Sequence, residues 1–245
     1  MSEKFFQNKQ AIIILIAASL VVLISMGIRQ TWGLFYGFFE TDLGFSRTQF
    51  GLAIAIQMVL WGSLVPIFGL LSDKFGPRRV VAFSFIIYLI GIYLLLQEPK
   101  TVFGFQISLG VLIGIALGGT AVSVPVSAVG KFFSNKNRTI ATGLVTASAS
   151  IGFFLMPIFV KFSNGSYGWK NTLEYFLYFL MFGLLCSLFM LKKEYTDETN
   201  NQFTRDQSAT KALKEAFQHK GYKLLTAGFF VCGFQITLVA THIPG

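Results

Sequence analysis

Seven stretches of this chain are long and apolar enough to cross a bilayer: 11–28, 50–71, 80–96, 102–130, 139–160, 175–191 and 222–241. A hydrocarbon core about 30 Å thick takes roughly 20 residues of helix to span. The expected fold is therefore an all-α polytopic membrane protein. Only 13% of the 245 residues are charged, against about a quarter in soluble domains.

The net charge of +9 raises the question of nucleic acid, and the distribution of charge answers it. With the N-terminus placed in the cytoplasm, 15 of the Lys and Arg residues fall on the inner side and 4 on the outer, Arg29 being the remaining one. That is the positive-inside pattern of a multi-pass protein of a plasma or bacterial inner membrane. It requires the lipid bilayer as a partner and no nucleic acid. Cys186 and Cys232 both lie in apolar blocks, so no disulfide framework is implied. Lys4 and Lys9 before an apolar run imitate a signal peptide, but the run is too long and no small-residue cleavage site follows. It reads as a retained first helix.

The six blocks before Lys192 predict helices over Ala11–Phe39, Gln49–Ser72, Val80–Leu96, Thr101–Gly130, Thr139–Val160 and Thr172–Leu191. Short links such as "QEPK" at 97–100 favour antiparallel neighbours. Residues 1–191 are thus expected to form a six-helix bundle. Residues 192–221 are a polar cytoplasmic linker. Its Ala209, Ala212, Leu213, Ala216 and Phe217 recur at helical spacing behind Ser208 as a cap. That pattern suits a short amphipathic helix on the membrane surface, or a soluble linker helix. Residues 222–245 then read as the first helix of an incomplete second bundle, so the chain looks truncated, its C-terminal half missing.

The most specific text is "GLLSDKFGPRR", in which Gly69, Asp73, Lys74, Gly76, Arg78 and Arg79 stand at the end of the second helix. Gly69 would let two helices approach closely. Asp73 sits at a helix C-terminus, where the macrodipole disfavours an anion, so it needs a cation or a facing helix N-terminus. Lys74, Arg78 and Arg79 either form salt bridges or bind anionic headgroups, or serve orientation alone. The six positions match G-x-x-x-D-[R/K]-x-G-x-[R/K]-[R/K], and the stretch resembles the cytoplasmic loop between helices two and three of major facilitator superfamily transporters. "FFSNKNRTIATGLVTASASIGFFLMP" and "YGWKNTLEYF" are similar to later passages of that family. The resemblance implies a gating motif that locks two bundles together on the cytoplasmic side, and transport by their rocking about a central site.

Gly110, Gly114 and Gly118 recur every four residues on the fourth helix, and Gly143, Ala147, Ser148 and Gly152 mark the fifth. Small residues so spaced permit tight crossings, with or without movement. Pro66, Pro125 and Pro157 predict kinks. The fourth helix lacks the arginine of many proton-coupled relatives, and the fifth lacks the G-P-x-x-G-G of drug/proton antiporters. Both departures weigh against a multidrug exporter.

Arg29 is left as the one base inside this half. A mid-helix arginine costs about 3 kcal/mol on insertion scales and is a functional candidate by default. Its planar fork suits a carboxylate. "GIRQTWGLFYGFF" and "LGFSRTQFGLAIAIQ" resemble the monocarboxylate and oxalate/formate transporter group, which carries a basic residue on its first helix and so implies that Arg29 contacts the substrate; Gln30 and Gln57 either line the same cavity or bridge helices. Counting from Ala11 at 1.5 Å per residue, Arg29 lies about 27 Å along, in the outer part of the core. The competing reading has it snorkel outward, with Trp32 and Tyr36 as interfacial anchors. Gln106, Gln235, His242 and Glu174 are weaker candidates.

The expected function is secondary active transport of a small organic anion, with a proton or in exchange, and without cofactor or metal. The alternatives are a transporter of another small solute (drug or sugar, inward or outward) and a non-transporting receptor on the same fold. A membrane enzyme would need paired carboxylates, H-E-x-x-H or a nucleophile elbow, and the chain has none of these motifs.

Overall fold

In lipid no water is available to backbone N–H and C=O groups, so an apolar block satisfies them internally as helix. The computed structural model describes residues 9–133 and 135–190, with part of 215–235. No strand occurs among the described residues. Of the expected linker and seventh helix, residues 191–214 and 236–245 lie outside them.

The first block forms α1, Lys9–Gln30. The Thr31 hydroxyl then donates to the Ile28 carbonyl at 2.7 Å, and a 3₁₀ turn at Trp32–Phe35 leads into α2, Tyr36–Thr41. An unbroken helix to Phe39 is therefore corrected, because a threonine hydroxyl competing for a helix carbonyl favours a change of winding. The second block is α3, Arg47–Phe75, opened by a capping box in which Ser46 and Gln49 bond reciprocally. Two orphan donors are satisfied there, so the helix starts before Gln49. Gly76 follows with φ 86°, and Pro77 opens α4, Pro77–Leu96. That backbone conformation is open to glycine and strained for other residues, which explains why the motif carries Gly76.

The fourth block is not one helix. It runs as α5 (Val102–Phe105), a π-helical segment (Gln106–Leu112), α6 (Ile113–Thr120) and, after a break, α7 (Ser123–Phe132). The expected kink at Pro125 falls four residues earlier, at Ala121, whose backbone turns to φ −66°, ψ −169°. A proline ring collides with the carbonyl four residues before it, and the turn at Ala121 takes that carbonyl away. The Thr120 carbonyl next to the break accepts the buried Ser25 hydroxyl of α1 at 2.9 Å. Helix eight, α8, spans Asn135–Tyr167, and α9 spans Trp169–Ser187.

Five of these segments are long and apolar enough to cross a membrane: Lys9–Gln30, Arg47–Phe75, Pro77–Leu96, Val102–Phe132 and Asn137–Tyr167. The shorter α9 packs in the same bundle, against α4 and α1. α1 also lies along α8, while α3 lies against the π-helical segment and α6. α1 and the fourth block are central: 67% of each apolar window is buried, against 17% for α3 and 33% for α8. The faces of α3 and α8 that point outward carry exposed Leu52, Val59, Leu70, Phe154 and Phe162, an apolar surface suited to lipid or to another helix layer.

The tightest crossing joins α1 and α8. A Cβ built on Gly152 would collide with the Leu23 carbonyl oxygen, and one on Gly27 would lie 2.5 Å from Met156 Cγ and 3.2 Å from the Gly152 oxygen. Backbones in such contact gain dispersion that side chains would forbid. Gly143, by contrast, meets nothing within 4 Å.

Candidate functional site

Arg29 occupies the last turn of α1, where the helix dipole favours a cation. Its side chain turns inward and the residue is only 7% exposed. Nη2 donates to Met58 Sδ at 3.0 Å, Nη1 donates to Gln30 Oε1 at 3.4 Å, and the guanidinium sits 5.2 Å from the Trp61 ring centroid. Met58 and Trp61 lie three residues apart, on one face of α3. They were missed in the sequence because they read as part of a lipid-soluble run. The snorkelling alternative is not what the structure adopts. Trp32 is 1% exposed and packs edge-on to Phe176 at 6.2 Å, and Tyr36 is buried against Phe50 at 5.5 Å. Aromatic rings brought together in this way are a packed core, not anchors.

The glutamines part company. Gln30 is half-buried and beside Arg29. Gln57 is fully buried and its Nε2 donates to the Leu109 carbonyl at 3.1 Å. Gln106 Nε2 donates to the Gln49 carbonyl at 2.8 Å. Both of these amides bridge α3 to the fourth block. Glu174 and Gln235 are exposed, and His242 lies outside the described residues.

At the other end of the bundle, Asp73 forms a salt bridge with Lys131 of α7. The carboxylate at the disfavoured helix C-terminus thus finds the cation it needs, from a residue read in the sequence only as part of the charge bias. Lys74 Nζ lies 5.3 Å over the Phe75 ring, Arg78 is half-buried and Arg79 exposed. Gly130 gives Arg138 a seat, with Nε 3.2 Å from where a Cβ would stand. Gly69 does not make its expected close approach among the described residues, since a Cβ there meets nothing within 4 Å.

A second polar cluster closes the opposite end. Trp169 Nε1 donates to Asp42 Oδ2 at 2.6 Å, the Thr41 hydroxyl donates to Oδ1 at 2.9 Å, and Lys170 pairs with Glu98. The indole and hydroxyl donors, with Lys170 beyond them, hold the Asp42 carboxyl below the usual carboxylate range. A depressed folded-state value means that the contribution to stability is present above about pH 4 and is lost as pH falls through the lowered value. Asp42→Asn is therefore expected to melt below the native protein at pH 6, the gap narrowing as pH drops below about 4. A constant gap across that range in a melting series would show that ionised Asp42 adds nothing.

Residues 15–245 match the family model of the Major Facilitator Superfamily. An agnestins efflux protein, AgnL12, of Paecilomyces divaricatus is 22% identical over 232 residues, covering 93% of this chain and 52% of the relative. A probable nitrate transporter, NarT, of Staphylococcus epidermidis is 30% identical over 156 residues, covering 62% of this chain and 38% of the relative. Among solved structures, the crystal structure of an auto-inhibited POT family peptide transporter aligns with a TM-score of 0.52 at 16% identity, covering 82% of this chain and 39% of the other. The chain spans about half, or less, of the length of these relatives.

Proposed function

The chain belongs to the Major Facilitator Superfamily, and on that premise we propose that it forms one bundle of a secondary active transporter for small organic anions of the monocarboxylate kind. The observation that carries this reading is a guanidinium 7% exposed between α1 and α3. A buried arginine is expensive in a membrane and repays its cost by binding. Trp61 and Met58 supply a cation–π face and a soft acceptor, and neither carries a countercharge. A monoanion received by the fork would meet Gln30 beside it and an apolar wall behind. A relative described as a probable nitrate transporter is in keeping with a small monoanion, and one described as an efflux protein keeps outward movement of another solute as the alternative.

In this reading residues 1–191 are the N-terminal bundle, 192–221 the cytoplasmic linker, and 222–245 the first helix of a second bundle facing it. The N-terminus and the 69–79 motif lie on the cytoplasmic side, in a cell membrane. Coupling is to a proton or to a counter-anion. Asp73 and Lys131, both of this bundle, pair and so brace the 69–79 motif for a cytoplasmic latch onto the second bundle, released as the bundles rock. Their side chains are 51% and 23% exposed, so the pair adds at most about 1 kcal/mol to stability. Asp73→Asn or Lys131→Ala should leave melting nearly unchanged while altering uptake severalfold, and the swap Asp73→Lys with Lys131→Asp should restore part of it. A swap no better than either single variant would remove this brace from the mechanism.

A second reading follows from Arg29's place in the last turn of α1: a charge that caps the helix dipole and binds nothing. The deciding experiment is uptake of labelled lactate, pyruvate, formate, oxalate and nitrate into proteoliposomes bearing the full-length transporter, both bundles present. Saturable accumulation of at least one monoanion, competed by the others, is the expected result. A panel with no saturable uptake would refute the anion reading.

A further inference from the structure

The π-helical segment Gln106–Leu112 is tied to α3 by one side-chain bond from each partner, and this grip touches the Arg29 site. A π turn carries one residue more than the α-helix, so its hydrogen-bond ladder is out of step where it rejoins α winding. Here the Ile113 N–H turns to the Gly110 carbonyl, one residue short of its usual α partner, Leu109. The Leu109 carbonyl accepts Gln57 Nε2 at 3.1 Å instead. At the start of the segment, Gln106 Nε2 returns the bond to the Gln49 carbonyl at 2.8 Å. The backbones are close enough for this grip: Cβ atoms built on Gly110 and Gly114 would lie 3.0 Å from the Ala53 oxygen and 2.9 Å from the Gln57 oxygen.

Gln57 is fully buried, and its Oε1 accepts no hydrogen bond among the described residues. A buried amide with only its nitrogen engaged is an expensive way to join two helices. Aliphatic packing would do that more cheaply, so the residue type points to a task beyond cohesion. One residue on, Met58 accepts from Arg29, and one turn on, Trp61 lies under the guanidinium. A single turn of α3 therefore holds the out-of-step carbonyl of the fourth block on one side and the anion-binding cation on the other.

The geometry points to Gln57 as a positioning residue of the transport cycle, which holds the fourth block in its π register and ties that register to Arg29. This rests on the transporter reading, but it moves Gln57 from ligand to linkage. When the bundle rocks, conversion of one π turn to α winding would rotate the segment before Leu112 by about 100°, the angle of one residue. Gln57 would then lose its acceptor, and the Met58–Trp61 wall would shift with it.

The test has a binding arm and a register arm. Gln57→Leu and the milder Gln57→Asn are expected to lower maximal uptake at least about fivefold while leaving KM within about twofold. A KM that rises with maximal rate unchanged would make Gln57 a direct ligand and overturn the assignment. The register arm does not need transport. Single cysteines at 104–112, in protein carrying Cys186→Ser and Cys232→Ser, are labelled by a thiol reagent in membranes. Their reactivity should follow a period near 4.4 residues in the Gln57 protein, and one near 3.6 in Gln57→Leu and in a variant lacking Val111. An unchanged pattern in Gln57→Leu, with the Val111 deletion shifting it, would overturn the proposal. Were Arg29 variants to transport normally while the register still followed Gln57, the anion site would fall and the positioning role would stand.

Discussion

Arg29→Ala is expected to abolish saturable anion uptake at ordinary substrate concentrations, with apparent affinity down at least about 30-fold. Removing one partner of a buried charged hydrogen bond costs about 2–5 kcal/mol, and each 1.4 kcal/mol is a factor of ten. The same change should not unfold the protein. It takes a buried cation out of a membrane bundle, a relief of about 3 kcal/mol on insertion scales, against the lost contacts to Met58 and Trp61. Melting near the native temperature with uptake gone is therefore the expected pair of results. Arg29→Lys separates the two readings of the residue. A lysine serves the dipole of α1 as well as an arginine, but it lacks the bidentate fork and the flat face that rests on Trp61. Partial uptake with a raised KM is expected for the lysine variant. Full uptake in both variants would end the anion-site proposal and leave the fold as it is.

The largest effect on folding is expected at the crossing of α1 and α8. In Gly152→Leu the new Cβ meets the Leu23 carbonyl oxygen and lies 3.2 Å from the Gly27 nitrogen. Those are backbone atoms, so no rotamer change relieves the clash. Either the helices move apart or the protein fails to fold. Overpacking a flexible core costs about 1–3 kcal/mol, and a fixed backbone should place this variant at or above the top of that range. Gly143→Leu, on the same helix but with open space around it, should express and melt as the native protein does. Monodisperse yield on size exclusion, followed by thermal melting, reads both. Equal behaviour of the two variants would mean that the crossing is not as close as described. Because Gly27 stands two residues before Arg29, a splayed crossing should also disturb the anion site.

Individual residues explain why some of this was legible in the sequence. Arg29 announces itself because a charge in an apolar block has no cheap explanation. Asp73 is similarly exposed to inference, since a helix C-terminus restricts what can stand there; in the sequence Gly76 is a motif position only, and its positive φ comes from the structure. Met58 and Trp61 carry no such signal. A methionine and a tryptophan suit lipid, a core and a cation equally, and only the packing of α3 on α1 selects among the three. Lys131 has the same ambiguity, one basic residue among many on its side until α7 sets it against Asp73.

Helix ends and interruptions divide along the same line. The start of α3 follows from Ser46 and Gln49, a local pattern. The break at Ala121 has a local cause in Pro125, yet it persists because Ser25 on another helix satisfies the neighbouring Thr120 carbonyl. The π turn at Gln106–Leu112 carries no such local pattern, and its side-chain bonds run to α3: Gln57 donates to the Leu109 carbonyl and Gln106 to that of Gln49. From its sequence alone this chain is helical and multi-pass, with glycine faces and an arginine in its first apolar block, because transfer of residues into lipid is a property of each segment separately. Which carbonyl meets which amide, and what lines the arginine, were decided by tertiary structure, since in a uniformly apolar medium every helix face is soluble and only the contacts between helices choose among them.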